Sequence, residues 1–98
     1  MPLYVISWTD KPDSLPLRMA TREAHLAYAH DTGGRVKLGG PFLDEAGQMA
    51  GSLIIIEADS LDEAKAWHAA DPYAKAGLFE RSEVRPYRIT LNGLAAPA

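Results

Sequence analysis

Hydrophobic positions along the chain switch between the period of a strand and that of a helix. An apolar and aromatic run over residues 3–8 predicts a first strand, and the turn-forming residues of 9–14 follow it. From Leu17 the apolar residues recur every three or four positions, which indicates an amphipathic helix. Ser14 is the predicted cap of this helix, and Gly33 and Gly34 are predicted to end it.

The middle of the chain predicts two further strands. A short second strand is expected over 35–38, followed by a loop that begins at Gly39-Gly40-Pro41 and ends near Gly51. Residues 52–57 carry the strongest strand signal, because they include a run of leucine and isoleucine rich in β-branched side chains.

The last third of the chain predicts a second helix and a final strand. Ser60 and Glu63 form a capping box that opens a helix over 61–70. Asp71 followed by Pro72 predicts one extra helical turn that ends at Gly77. A long strand is expected over 78–91, interrupted at Pro86, and a disordered tail over 92–98.

The order strand, helix, strand, strand, helix, strand predicts a single α+β domain over residues 1–91. It is the ferredoxin-like, split βαβ arrangement, in which both helices cover one face of a four-stranded antiparallel sheet. In the first strand, Leu3 and Val5 point to one face and Tyr4, Ile6 and Trp8 to the other, so both faces are apolar. An apolar second face predicts a two-fold homodimer, whereas the small residues of the tail would cover little area.

Composition excludes several classes of protein. The chain has 98 residues, a net charge of −3 and no cysteine. The acidic balance argues against nucleic-acid binding, and no apolar run reaches the roughly 20 residues that cross a membrane. Without cysteine or a signal peptide, the chain is expected to be soluble and cytoplasmic, with neither disulfides nor thiolate metal sites.

Three basic side chains form a row on the first helix. Arg18, Arg22 and His25 lie three and four residues apart, at the edge of a stripe that the periodicity predicts to be buried. The stripe consists of Leu17, Ala20, Ala24, Ala27 and Tyr28. Such a row can bind an anion and move a proton. On the residues alone, an ordinary partly buried histidine with solvated arginines is the stronger interpretation.

The other candidate residues have structural interpretations beside the chemical ones. Asp71 is either an N-cap or a carboxylate that orients an imidazole, or both. His30 lies on another side of the helix from His25, and His68 is interpreted as a satisfied, partly buried histidine. The spacing of these histidines predicts no metal site. Ser52 lacks the surroundings of a nucleophilic serine.

Taken together, several segments resemble the YciI-like family of dimeric α/β-barrel proteins. They are the helix segment 22–28, the glycine-containing segments 39–42 and 51–58, the segment 60–64 that leads to 71–79, and the final segment 84–87. The resemblance runs from Leu3 to Ile89. Members of the family are mostly uncharacterised, and a few similar proteins act as dehydrohalogenases or lyases on small ring-derived acids.

The resemblance implies a homodimer and an active site with a histidine–aspartate dyad. The matching positions here are His25 and Asp71, and Arg22 and Ser52 match pocket positions. The leading hypothesis is a cofactor-independent enzyme that performs elimination or isomerisation on a small organic acid, with His25 as general base or acid. The alternative is a non-catalytic ligand-binding or dimerisation module. A cofactor-free monooxygenase or a muconolactone isomerase-like enzyme is a third possibility, since these share the fold.

Overall fold

The computed structural model of the chain describes residues 2–94. Its elements are β1 (Leu3–Asp10), α1 (Leu15–His30), β2 (Val36–Leu43), β3 (Met49–Glu57), α2 (Leu61–Ala69), α3 (Pro72–Lys75) and β4 (Phe79–Tyr87). The strands form one sheet in the order β2-β3-β1-β4, and every pair of neighbours is antiparallel. The predicted ferredoxin-like α+β fold is therefore confirmed. Of the predicted tail, residues 95–98 lie outside the described residues.

The hydrophobic core lies between the sheet and the helices. Burial alternates along β1, as the period of a strand requires, so that its even-numbered residues face the helices. The buried cluster consists of Tyr4, Ile6, Trp8, Ile54, Ile56, Ala58, Ala64, Trp67, Tyr73 and Leu78. Each large apolar side chain in it contributes about 1.5–3 kcal/mol through removal from water. Among residues 2–94, no helix is both long and apolar enough to cross a membrane.

Both edge strands differ from their predicted bounds. β2 continues to Leu43, where a loop was predicted, and Gly39, Gly40 and Pro41 pair with residues of β3. Because β2 is an edge strand, the missing N–H of Pro41 need not cost a ladder hydrogen bond. β4 ends at Tyr87 rather than at residue 91, and Pro86 is paired within it. Pairing with a neighbouring strand outweighs the weak strand propensity of glycine and proline.

The buried face of α1 is not the predicted one. Leu17 is 37% exposed and the three alanines of the predicted stripe are exposed, whereas Arg18 and His25 are buried. The inward face is thus rotated by about 100°, the angle between consecutive helical residues. The reason is that this side of α1 covers a polar site, where hydrogen bonds compensate the burial of polar groups.

The caps of the first two helices differ in chemistry. Ser60 accepts a hydrogen bond from the backbone N–H of Glu63, as the capping box predicts. Ser14 occupies the N-cap position of α1, but its hydroxyl donates to the carbonyl oxygen of Pro12 and makes no cap bond. The start of α1 therefore gains nothing from a serine cap.

His68 lies in the core without a hydrogen bond. Its ring is stacked between Trp8, at a centroid distance of 5.5 Å, and Phe79, at 4.7 Å. Both ring nitrogens are buried and have no partner among residues 2–94, so the predicted satisfied histidine is wrong. Burial lowers the pKa of His68 from its ordinary value of 6.5, and the charge of Asp71 opposes this only in part.

The fold is therefore expected to lose stability on acidification, and the His68→Phe variant is expected to lose less. Below about pH 6.5 the imidazole of His68 binds a proton in the unfolded state, whereas in the folded state it stays neutral until the pH reaches its lowered pKa. The stability that neutral His68 contributes to the free energy of unfolding is therefore fully present above that pH, and it is lost as the pH falls through the lowered pKa. Phenylalanine keeps the aromatic stack and removes both unpaired nitrogens. Urea denaturation at about pH 5 and about pH 7.5 measures the difference. The exposed His30→Gln variant is the control, and an unchanged pH slope in His68→Phe would contradict the assignment.

Candidate active site

A cavity of about 470 Å³ lies between α1 and the strands β2 and β3. Its size falls in the range of small-molecule sites, roughly 300–1,000 Å³. Much of its wall is apolar, formed by Leu26, Ala29, Val36, Pro41, Met49 and Ile54. Gly39 and Gly40 also line it, so the backbone of β2 forms part of the wall. The cavity suits a compact ligand with an apolar carbon skeleton.

Among the described residues, the ionisable side chains that line this cavity include basic groups but no carboxylate. The basic lining residues are Arg18, Arg22, His25, His30 and Lys37. No aspartate or glutamate from residues 2–94 lines the cavity, although the chain as a whole has a net charge of −3. The ammonium of Lys37 is paired with Glu57 at 2.7 Å. This distribution favours an anionic ligand.

The predicted site residues His25 and Asp71 lie on different elements, and their side chains are in contact. His25 projects from the inward face of α1, and Asp71 precedes α3. The Nδ1 atom of His25 lies 2.8 Å from Oδ2 and 2.9 Å from Oδ1 of Asp71. A carboxylate only accepts hydrogen bonds, so Nδ1 donates and the neutral imidazole has its lone pair on Nε2. Nε2 has no partner among the described residues and is not fully buried, so it is accessible from the cavity.

Asp71 has a structural role beside its contact with the imidazole. It is fully buried, and its Oδ1 atom accepts a hydrogen bond of 2.8 Å from the backbone N–H of Tyr73, which is the predicted N-cap. The ring of Tyr73 stacks on that of His25 at a centroid distance of 4.1 Å. Burial raises the pKa of Tyr73, which therefore stays a neutral phenol. The carboxylate and the tyrosine ring together hold the imidazole in one orientation.

A buried arginine organises the end of the cavity near the start of α1. The Nε atom of Arg18 donates to Asp10 at 2.7 Å, and its Nη2 atom donates to the carbonyl oxygen of Gly51 at 2.8 Å and to Ser52 Oγ at 2.9 Å. The indole N–H of Trp8 donates to the other oxygen of Asp10. Arg18 is only 3% exposed, so the ion pair with Asp10 is shielded from solvent.

The position of Ser52 follows from the glycine before it. A Cβ at Gly51 would overlap the carbonyl oxygen of Trp8, so only glycine allows β3 to approach β1 this closely. Ser52 then pairs with Trp8 across the two strands, and its side chain reaches the cavity.

The structure brings all four predicted site residues to one cavity. His25 and Ser52 line it, Asp71 supports His25 from behind, and Arg22 lines it from an exposed position. The sequence places Arg18 in the basic row with Arg22 and His25, but its interpretation as a solvated arginine is wrong, because Arg18 is buried. Its ion pair with Asp10 was not predicted, since the two residues lie on different elements.

Comparison with known proteins shows the family to which this chain belongs. The model of the YCII-related domain matches residues 2–88. The chain belongs to the YCII-related domain family. It is 43% identical to protein YciI of Escherichia coli over 95 aligned residues, which cover 88% of this chain and 96% of that protein. It is 36% identical to an uncharacterized protein of Haemophilus influenzae over 94 residues, which cover 87% and 95% of the two chains.

A solved relative of this YCII-related domain has a named activity. The chain is 36% identical to 5-chloro-2-hydroxyhydroquinone dehydrochlorinase of Burkholderia phenoliruptrix AC1100, with a TM-score of 0.81. The match covers 88% of this chain and 93% of that one. The relative was solved in complex with 2,5-dihydroxybenzoquinone. The two chains therefore share their fold over nearly their whole length.

Proposed function

We propose that this chain is an enzyme that catalyses proton transfer, by elimination or isomerisation, on a small organic acid. One observation carries the proposal: the imidazole of His25 is held at Nδ1 by buried Asp71, and Nε2 opens into a cavity whose described lining residues include basic but no acidic side chains. His25 is the proposed base and acid, and Asp71 orients it. Arg22 attracts the negative charge of the substrate, and Ser52 is a proposed binding residue.

The proposed step begins with removal of a proton from a substrate carbon by Nε2 of His25. The electron pair of the broken C–H bond forms a new double bond. In an elimination the leaving group departs with the electron pair of its own bond, and in an isomerisation His25 returns the proton to another atom. The charge of Asp71 stabilises the imidazolium that forms. The step needs a positioned base and stabilisation of an anion, and it requires neither a metal nor a nucleotide.

The relative with a named activity supports this reaction class. A dehydrochlorinase removes a proton and a chloride from its substrate, which is an elimination of the proposed kind. The match covers most of both chains, and the two sequences are 36% identical. A hydroxylated, halogen-bearing ring is therefore the first substrate class to test.

The test is an assay of chloride release from 5-chloro-2-hydroxyhydroquinone, together with deuterium exchange from solvent into a panel of small ring acids. Catalysed chloride release or catalysed exchange is the expected result. Ligands that bind and are recovered unchanged, without exchange, would support the non-catalytic binding module instead.

We also propose that two copies of the chain form a homodimer through the sheet face opposite the helices. The large apolar side chains on this face include Leu3, Val5, Leu38, Phe42, Leu53, Ile55 and Tyr87. Leu38, Phe42 and Tyr87 are each more than two-fifths exposed, which is unfavourable for an uncovered surface. Sedimentation equilibrium is expected to show a dimer for the wild type and a larger monomer fraction for Phe42→Glu. A monomeric wild type would contradict the proposal.

A further inference from the structure

One position of β2 faces the cavity without a side chain. Gly39 pairs with Ile54 of the hydrophobic core, and both residues line the cavity. The next residue, Gly40, pairs with Leu53, which lies on the sheet face away from the helices and does not line the cavity. Because side chains alternate along a strand, a side chain at position 39 would point towards the cavity and one at position 40 would point away from it.

The fold does not require a glycine at position 39. Gly39 is not among the glycines with a positive φ, so it does not adopt the left-handed backbone that favours this residue. A Cβ atom at this position would lie 3.5 Å from Cγ1 of Ile54 and 3.7 Å from the carbonyl oxygen of Leu53, which are ordinary van der Waals contacts. A glycine inside a strand also weakens that strand. The reason for this glycine therefore lies outside the stability of the sheet.

The space that a side chain at position 39 would fill belongs to the cavity. Gly39 is exposed, and the two atoms of β3 are the only ones from residues 2–94, apart from its chain neighbours, within 4 Å of the Cβ position. The helix α1 contributes Arg22, His25 and Leu26 to the wall of the same cavity. At Gly39 the backbone itself is the wall, and a glycine within a strand allows a ligand to approach the backbone closely.

We propose that Gly39 is a specificity-determining residue, which admits a planar ring between α1 and the backbone of β2. A side chain larger than a methyl group at this position would occupy the place of the ring. Small acids without a ring would then still fit beside His25. The meaning of this selectivity for catalysis rests on the proposed function, in which the substrate is a hydroxylated ring. The size limit on ligands does not depend on turnover.

The test is a calorimetric titration of the wild type, Gly39→Ala and Gly39→Val with 2,5-dihydroxybenzoquinone as the ring probe. The dissociation constant is expected to increase in that order. In Gly39→Val it should be roughly tenfold to a hundredfold above that of the wild type, since steric overlap in a filled site has a cost of this size. Oxalate, a dianion without a ring, is the second probe, and its dissociation constant should be the same in all three proteins.

The stability of the variants distinguishes this role from a structural one. Valine has a higher strand propensity than glycine, so the urea concentration at the unfolding midpoint of Gly39→Val should equal or exceed that of the wild type. Gly40→Val is the matched control, because it adds the same side chain to the same strand on the other face. A Cβ atom at Gly40 would meet no atom within 4 Å, and this variant should bind the ring probe as the wild type does.

The outcomes for Gly39 and for the proposed function are distinguishable. The role of Gly39 is wrong if the wild type does not bind the ring probe, or if Gly39→Val binds it as tightly as the wild type. It is also wrong if Gly39→Val loses affinity for both probes equally, or loses stability together with affinity. If Gly39→Val loses affinity for the ring probe alone while the wild type shows neither chloride release nor exchange, the role of Gly39 stands and the proposed function fails. If the wild type and Gly39→Val turn over a ring substrate equally well, the proposed function stands and the role of Gly39 is overturned.

Discussion

The His25→Ala variant is expected to lower the turnover number by about 10²–10⁴-fold, the usual contribution of a general base or acid. The reason is that Nε2 of His25 is the lone-pair nitrogen that Asp71 orients into the cavity. Chloride release from 5-chloro-2-hydroxyhydroquinone, or deuterium exchange into a responsive ring acid, measures the change. The effect should lie in kcat, because in the proposed mechanism the imidazole acts on the transferred proton rather than on ground-state binding.

Two control variants distinguish a loss of catalysis from a loss of folding. His30→Ala removes the other histidine that α1 contributes to the cavity, from an exposed position, and should retain most of the activity. The His25→Gln variant keeps a polar side chain of similar size beside Asp71 and should be as inactive as the alanine variant. Circular dichroism must show both His25 variants folded. An active, folded His25→Ala variant would exclude His25 as the base.

The Asp10→Ala variant is expected to lower the free energy of unfolding by about 3–5 kcal/mol, as is typical when one partner of a buried ion pair is removed. Asp10 is 8% exposed and Arg18 is 3% exposed, so the remaining guanidinium would be a buried charge without its counter-ion. The indole N–H of Trp8 would also lose its acceptor.

Urea denaturation at one fixed protein concentration measures this change, since the stability of the proposed homodimer would depend on concentration. The control is Glu63→Ala, which breaks the ion pair with Arg35. Both partners of that pair are more than one-third exposed, so its loss should cost about 1 kcal/mol or less. Equal effects of the two substitutions would show that burial does not strengthen the Asp10–Arg18 pair.

Much of the fold could be predicted from local patterns. Three local signals match elements of the structure. The strand signal of 52–57 lies in β3, the capping box at Ser60 opens α2, and Asp71–Pro72 opens α3. These signals depend on neighbouring residues, and so the sequence displays them directly. The extent of β2 could not be predicted, because its glycines and proline become strand only when a partner strand supplies the hydrogen bonds. The end of β4 could not be predicted either, because Tyr87 pairs with Leu3, where the partner strand β1 begins.

The inward face of α1 shows where local reasoning fails. Hydrophobic periodicity predicts that leucine and alanine form the buried face of the helix, because it assumes that the helix packs on an apolar core. Here α1 covers a polar cavity, and Arg18 and His25 are compensated by Asp10, Ser52 and Asp71. The same failure explains the error at His68, whose lack of a partner depends on how Trp8 and Phe79 pack around it.

The sequence by itself determined the order of the elements, the class of the fold and the row of basic residues on the first helix. Its resemblance to a known family pointed to His25, Asp71, Arg22 and Ser52. Only the tertiary structure decided that Nδ1 of His25 contacts a carboxylate 46 residues away, that a buried arginine hydrogen-bonds Ser52, and that basic side chains form part of the cavity wall. The physical reason is that periodicity and capping are local properties, whereas the direction of a hydrogen bond and the burial of a charge depend on residues brought together by folding.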